Sequence, residues 1–243
     1  FLACGMLNLQ AQESSQKFVV HEDQVHPNKV AAYEAATKKF AETMNEHNAT
    51  DAAFLTVSLD DMRYLYVSAI DNMASLDHNP FEAVVKTMGD DGFDEMMSGY
   101  DNTFETHTNY IINLNHDLSY NSEVILSEGV NFRMFTYYFI DPDDWKEATA
   151  IATEWKELHA SSNAPHGYRI YTGGLGTEPM IMVVQWAKDA QEFYANQAEN
   201  QMAIGDATDL RSRTMAVTRK MEHYTGMIRP DLSYQPKSAM ADN

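Results

Sequence analysis

The chain has 243 residues, 44% of them hydrophobic, with 17 Lys+Arg against 36 Asp+Glu and a formal net charge of -19. That length fits one large domain or two small ones, and the hydrophobic share supports a buried core. So acidic a chain repels phosphate backbones and anionic lipid, which makes nucleic acid and membrane surfaces poor partners, and the same charge keeps the protein in solution, the plainer reading. The single cysteine, Cys4, rules out an intrachain disulfide and a cysteine-type zinc site.

Residues 1–12 are uncharged and mostly apolar, then the chain turns polar at Glu13-Ser14-Ser15-Gln16. With no Met in front of it, this segment reads as the tail of a signal peptide's apolar region, cleaved after Ala11. A mature protein starting near Gln12 or Glu13, in the periplasm or outside the cell, is the expectation. The alternative is a lipoprotein anchored through Cys4, because Leu2-Ala3-Cys4-Gly5 is lipobox-like. No later apolar run approaches the ~20 residues that span a bilayer.

Downstream, a short strand is expected over residues 18–21. His26-Pro27 then opens a helix that presents Val30, Tyr33, Thr37 and Phe40 at three-to-four spacing, with His26 as its cap. Strands follow over 53–59 and 64–70, a helical region over 80–100, and a strand over 106–114. The same order then returns: a strand over 132–140, Asp141-Pro142 opening a helix with Trp145, Ala148, Ala152 and Trp155 on one face, strands over 168–172 and 180–186, a helix over 187–201, and a strand over 219–228. Phe40 falls on Trp155 and Val30 on Trp145 at an offset of about 115 residues. Leu65-Tyr66-Val67-Ser68 is set against Ile181-Met182-Val183-Val184, and Asp-Leu-Ser-Tyr at 117–120 is repeated identically at 231–234. This is an internal tandem duplication, with repeat one at 17–120, a linker at 121–130, repeat two at 131–234 and a tail at 235–243.

β-α-β-β-α-β is the ferredoxin-like unit, whose sheet is covered by helices on one face and bare on the other. Two such α+β repeats in one chain cover each other by packing sheet to sheet as a barrel. In this order and repetition the sequence resembles the dimeric α+β barrel superfamily, which includes monooxygenase-like, haem-degrading, stress-response and NIPSNAP-like barrels. The resemblance spans about residues 17–234 and implies a pocket protein, either a binder or a cofactor-independent oxygenase or isomerase in which Asn, His or Trp assists an activated aromatic substrate.

No catalytic motif fixes the site. Tyr171-Thr172-Gly173-Gly174-Leu175-Gly176-Thr177 lacks the lysine of a phosphate loop and lies between strands, so it reads as a hairpin turn. Asp90-Asp91-Gly92-Phe93-Asp94-Glu95 departs from the calcium-loop pattern and reads as a solvated loop. The run from His21 to His26 holds metal-ligand types, but Glu22 and Asp23 point to opposite faces of a strand, so no metal site is expected. His107 and Asn109 share one face of a strand expected to be buried on both sides, with His223 at the matching place in repeat two; these three are the candidate proton donors or acceptors. All three tryptophans lie in repeat two, which therefore offers the fuller apolar wall. The candidate ligand-binding residues are Tyr138, Arg169, Tyr171, Trp186, Glu222 and His223, between the helices of repeat two and the strand carrying His223. The expected partner is a small apolar or aromatic molecule. No cofactor is expected, and a homo-oligomer is compatible with this reading.

Overall fold

The protein is described here by a computed structural model covering residues 15–122 and 129–236. The expected signal segment, most of the linker and most of the tail lie outside these residues. The element order is β1 (Ser15–Val25), α1 (Val30–Glu46), β2 (Leu55–Leu59), β3 (Arg63–Ile70), α2 (Glu82–Met88), α3 (Asp90–Met97), β4 (Phe104–Tyr120), then β5 (Phe132–Ile140), α4 (Trp145–Ser161), β6 (Tyr168–Gly173), β7 (Met180–Ala187), α5 (Ala190–Ile204), α6 (Thr208–Ala216) and β8 (Thr218–Ile228). The eight strands close an antiparallel barrel in the order β1-β3-β2-β8-β5-β7-β6-β4. Each half contributes four neighbours in ferredoxin-like order, and the seams are β2 against β8, with Val57 opposite Ile228, and β4 against β6, with Ile112 opposite Gly173.

Period-two alternation decides which side chains meet. Val20, Val57, Leu65 and Ile112 from the first half pack with Phe135, Tyr137, Met180, Met182 and Ile228 from the second in one core inside the barrel. Each sheet thus supplies the apolar cover that the other lacks. At roughly 1.5–3 kcal/mol per buried large side chain, this shared core is what joins the halves. The opposite sheet faces carry the helices. On α1, Tyr33, Ala36, Thr37, Ala41 and Met44 are buried; on α4, Ala148, Ile151, Ala152 and His159 are. Phe40 and Trp155 are only half-buried.

Pro27 and Pro142 each open a short 3-10 turn at the entry to α1 and α4. His26 and Asp141 precede these turns, but neither side chain makes a capping hydrogen bond. The helical region expected over 80–100 is two helices, because Gly89 takes φ 77, a left-handed conformation that interrupts the ladder. The segment 90–95, expected as a solvated loop, is helical and begins α3 with Asp90 and Asp91 in its first turn. In the second half Gly205, φ 73, ends α5, and a separate α6 follows that sequence patterning did not foresee. The alignment of Tyr66 with Met182 also slips. Tyr66 pairs with His21 and faces the helices, whereas the residue in that position of the second half is Val183, paired with Thr136. Met182 points into the barrel core, as a one-residue slip requires.

Candidate functional site

A cavity of about 260 Å³ lies between α4, α5, α6 and the sheet of the second half, lined wholly by residues of that half. Its apolar wall includes Tyr138, Ile151, Trp155 and Ile181, and its polar groups include His159, Asn200 and Arg211. No Asp or Glu lines it, a notable absence in a chain of charge -19. The space exists because of small helix residues. Ala148 and Ala152 stand on α4 where α1 carries Tyr33 and Thr37, and Val183 stands on the sheet where the first half carries Tyr66. Tyr33 is 0% exposed; its ring fills in the first half what stays open in the second.

The polar groups of this cavity are specific in their states. His159 Nδ1 lies 2.8 Å from the Trp155 carbonyl, which can only accept, so Nδ1 carries the hydrogen and a neutral ring keeps Nε2 as an acceptor. Burial holds its pKa below the usual histidine value, against the opposing pull of that carbonyl. Tyr168 packs edge-on against His159 at 5.0 Å between ring centroids. Its hydroxyl is buried with no hydrogen-bond partner among the described residues, and burial pushes its pKa up. The Asn200 side chain bridges both ends of the His166 peptide, accepting from the N–H at 3.0 Å and donating to the carbonyl at 2.9 Å. Trp155 Nε1 donates to Thr214 Oγ1 at 2.9 Å, and Arg211 sits over the Trp155 ring and donates to Gln201.

The residues singled out from sequence do not share one site. Tyr138 lines the cavity just described, but Arg169, Tyr171 and Trp186 point into the barrel, where they border a smaller space of about 90 Å³ with Tyr110 and Arg133. Burial lowers the Arg133 pKa to about 10. Glu222 lies toward one end of the barrel, held below the usual carboxylate range chiefly by the Lys220 ammonium at 2.7 Å, with Tyr224 donating at 3.1 Å. His223 faces outward, is exposed, and meets Thr136 Oγ1 at 3.1 Å. Alternate side chains of these strands lie on opposite faces of the barrel wall, so the aromatic richness of the second half divides into an inner and an outer set.

His107 and Asn109 belong to another cluster, on the helix side of the first half. Their strand is not buried on both faces there; both residues are exposed. In the β1–β4 ladder Asn109 lies opposite His21 and His107 opposite Asp23. His107 Nδ1 is 2.9 Å from Asp23 Oδ1, and His21 Nδ1 is 2.9 Å from Asn109 Oδ1. Asp23 is 4% exposed, and Tyr33 donates to its Oδ2 at 2.6 Å, itself receiving the Tyr66 hydroxyl at 2.7 Å. Burial works to raise the Asp23 pKa, yet the His21, Tyr33 and His107 contacts outweigh it and the net shift is downward. For His21, burial is likewise overcome by Asp23 and Asn109, and its pKa is raised.

Sequence reasoning missed His159, Asn200 and Arg211. His159 was within reach of it, since it follows Trp155 by one helical turn and Ala152 by two on the same face of α4. Asn200 and Arg211 arrive on α5 and α6 from far along the chain, and no local spacing announces them.

No described protein family matches the sequence, and no curated relative does. Among solved structures, the chain is similar to a candidate monooxygenase from Fusobacterium nucleatum subsp. nucleatum ATCC 25586, with TM-score 0.57 and 11% identity over 89% of this chain and 93% of that one. It is similar to an anthrone oxidase-like protein, with TM-score 0.53 and 14% identity over 88% of this chain and 91% of that one. A candidate monooxygenase from Lactobacillus acidophilus NCFM gives TM-score 0.50 at 9% identity over 92% and 97% of the two chains. At these identities the likeness establishes the fold alone: the protein is a ferredoxin-like α+β barrel.

Proposed function

We propose that this protein binds a small apolar or aromatic molecule in the cavity between α4–α6 and the sheet of the second half. The observation that carries this reading is the pairing of a 260 Å³ cavity with the unpartnered Tyr168 hydroxyl. A buried hydroxyl without a partner costs about 1–3 kcal/mol, which a ligand acceptor or donor placed beside it recovers. The absence of lining carboxylates and the presence of Arg211 favour a neutral or anionic molecule. Native mass spectrometry of the full protein purified from its own source tests this. One small molecule per chain, displaced on denaturation, supports it, and a bare mass with no gain on adding aromatic compounds counts against it.

A second reading is favoured by the neutral His159 in an apolar cavity, where it is placed to accept a proton. On that reading the protein is a cofactor-independent oxygenase, taking an anthrone-like substrate and dioxygen to a quinone and water. Oxygen consumption with an anthrone, lost in His159→Gln, distinguishes catalysis from binding.

Two further readings accompany this one. The repeated element order and the matched positions across the two ladders support a tandem duplication of one ferredoxin-like unit, after which the halves diverged. The composition of residues 1–12 supports export to the periplasm or beyond, with a mature start near Gln12; intact-mass measurement of the natural protein checks it, and a diacylglycerol on Cys4 would favour the lipoprotein instead.

A further inference from the structure

Strand alternation puts His21, Asp23, His107 and Asn109 on one outward face, and antiparallel pairing sets them side by side across two strands. One nitrogen from each ring and one Asp23 oxygen all lie within 4.8 Å of one another. We propose that His21, Asp23 and His107 form a binding site for one divalent first-row transition metal ion, held by three protein donors with its remaining positions open to solvent.

The separations fit. Metal–nitrogen and metal–oxygen bonds of about 2.0–2.2 Å place neighbouring donors about 3.3–3.6 Å apart in a tetrahedron and about 2.8–3.1 Å apart in an octahedron. The two pairs that share Asp23 Oδ1 measure 3.5 Å, to His21 Nε2, and 2.9 Å, to His107 Nδ1. Both pairs therefore fall close to the range of these geometries, and the third, between the two imidazole nitrogens, lies within 4.8 Å, so the exposed histidine rings close on the ion as it binds. Two imidazoles and one carboxylate are the donor set that zinc and ferrous iron accept. Three protein ligands with open positions is also the arrangement of catalytic and not of structural sites.

The surrounding contacts define what the ion would displace. His107 Nδ1 faces a carboxylate oxygen that only accepts, at 2.9 Å, and the Asn109 amide nitrogen, which only donates, lies 3.4 Å from Nε2, so His107 carries its hydrogen on Nδ1 and releases it when the ion binds. The Asn109 carbonyl oxygen can only accept, so it fixes the hydrogen of His21 on Nδ1 and turns the Nε2 lone pair toward Asp23. The free oxygen of Asp23 is held by Tyr33, which is backed by Tyr66. The Asp23 side chain is 5% exposed, and among the described residues its ionic partners are the two histidines and no Lys or Arg. A buried carboxylate without a permanent cation is costly, and a metal ion supplies one. The histidine side chains are 36% and 45% exposed, which leaves the open side facing solvent. The second half has no such set: Thr136, Tyr138 and Met221 stand at the matching places in its ladder. One half thus keeps the donor cluster and the other the cavity.

The test uses the full chain, stripped with a chelator and titrated with zinc alone by calorimetry and with cobalt(II) alone by absorption. One zinc per chain is expected, with stoichiometric binding lost in His21→Ala and in His107→Ala. Asn109→Ala should weaken it about 10–100-fold, and His166→Ala, which alters a surface histidine of the other half, should not change it. Strong visible cobalt bands would report four-coordination and weak ones six; either supports the site. If the variants fold poorly, modification of the wild type with diethyl pyrocarbonate decides, since zinc should shield His21 and His107 together. Failure of the wild type to bind zinc or cobalt, or binding and shielding indifferent to these histidines, overturns the proposal and leaves the cluster as a proton-sharing Asp–His pair.

Discussion

The cavity of the second half exists because Ala148 stands where the first half carries Tyr33, so Ala148→Leu should close it partly and stabilise the ligand-free protein. Ala148 is 3% exposed and lines the cavity. Leucine adds three carbons; at about 0.8 kcal/mol for each buried CH₂ the gross gain is about 2.4 kcal/mol. Fixing the longer side chain costs about 0.5–1 kcal/mol, and leucine is nearly as good a helix former as alanine. The net is about 1.5 kcal/mol, which at about 2–4 °C per kcal/mol for a chain of this size raises Tm by about 3–6 °C. Urea unfolding should show the same gain with an unchanged m-value, while affinity for any aromatic ligand falls. A well-packed helix–sheet interface would respond the other way, losing about 1–3 kcal/mol to overpacking. A lowered Tm would therefore show that the space is not available to a side chain and that the site has been misplaced.

Tyr168→Phe should leave the ligand-free protein as stable or about 1 kcal/mol more stable, because the hydroxyl it removes has no partner, and it should weaken ligand binding; a clear loss of stability in thermal unfolding would mean that the hydroxyl is bonded. Tyr33→Phe should cost about 2 kcal/mol in urea unfolding, since it removes the 2.6 Å bond to the Asp23 carboxylate, and an unchanged midpoint would show that Asp23 does not depend on Tyr33. The folded pKa of His159 lies below the ordinary 6.5, so between these values the unfolded chain binds the extra proton and stability rises with pH. Its contribution is complete above pH 6.5 and is lost as pH falls toward the folded value. His159→Gln should flatten that part of the stability–pH curve, and a curve of unchanged slope would show that His159 is charged in the fold.

Much of this architecture was legible from local patterns. The aromatic and apolar run at 132–140 and the prolines at 27 and 142 mark elements whose signals are carried by neighbours in sequence, and the return of the same order implied the barrel. The helix breaks were less visible, because Gly89 interrupts a pattern that stays helical on both sides. The sites were the least legible. Asp23 and His21 share a face at a spacing of two, but their third donor comes from β4, and only the register of that ladder brings His107 opposite Asp23. Likewise the three tryptophans and their neighbours look like one wall in sequence, whereas alternation sends Trp186, Arg169 and Tyr171 inward and Tyr138 outward. The cavity owes its place to what α4 lacks, the bulk of Tyr33, more than to the rings it has.

On the proposed function, the second half holds one binding site for a small aromatic molecule beneath α4. Titration of the protein with the fluorophore anilinonaphthalene sulfonate, followed through energy transfer from tryptophan, tests it most directly, because Trp155 lines the cavity. Saturation at one fluorophore per chain is expected, with transfer reduced in Trp155→Phe and affinity weakened in the folded, stabilised Ala148→Leu. Binding undiminished in Ala148→Leu, transfer unchanged in Trp155→Phe, or no saturable binding in the wild type would refute this placement of the site.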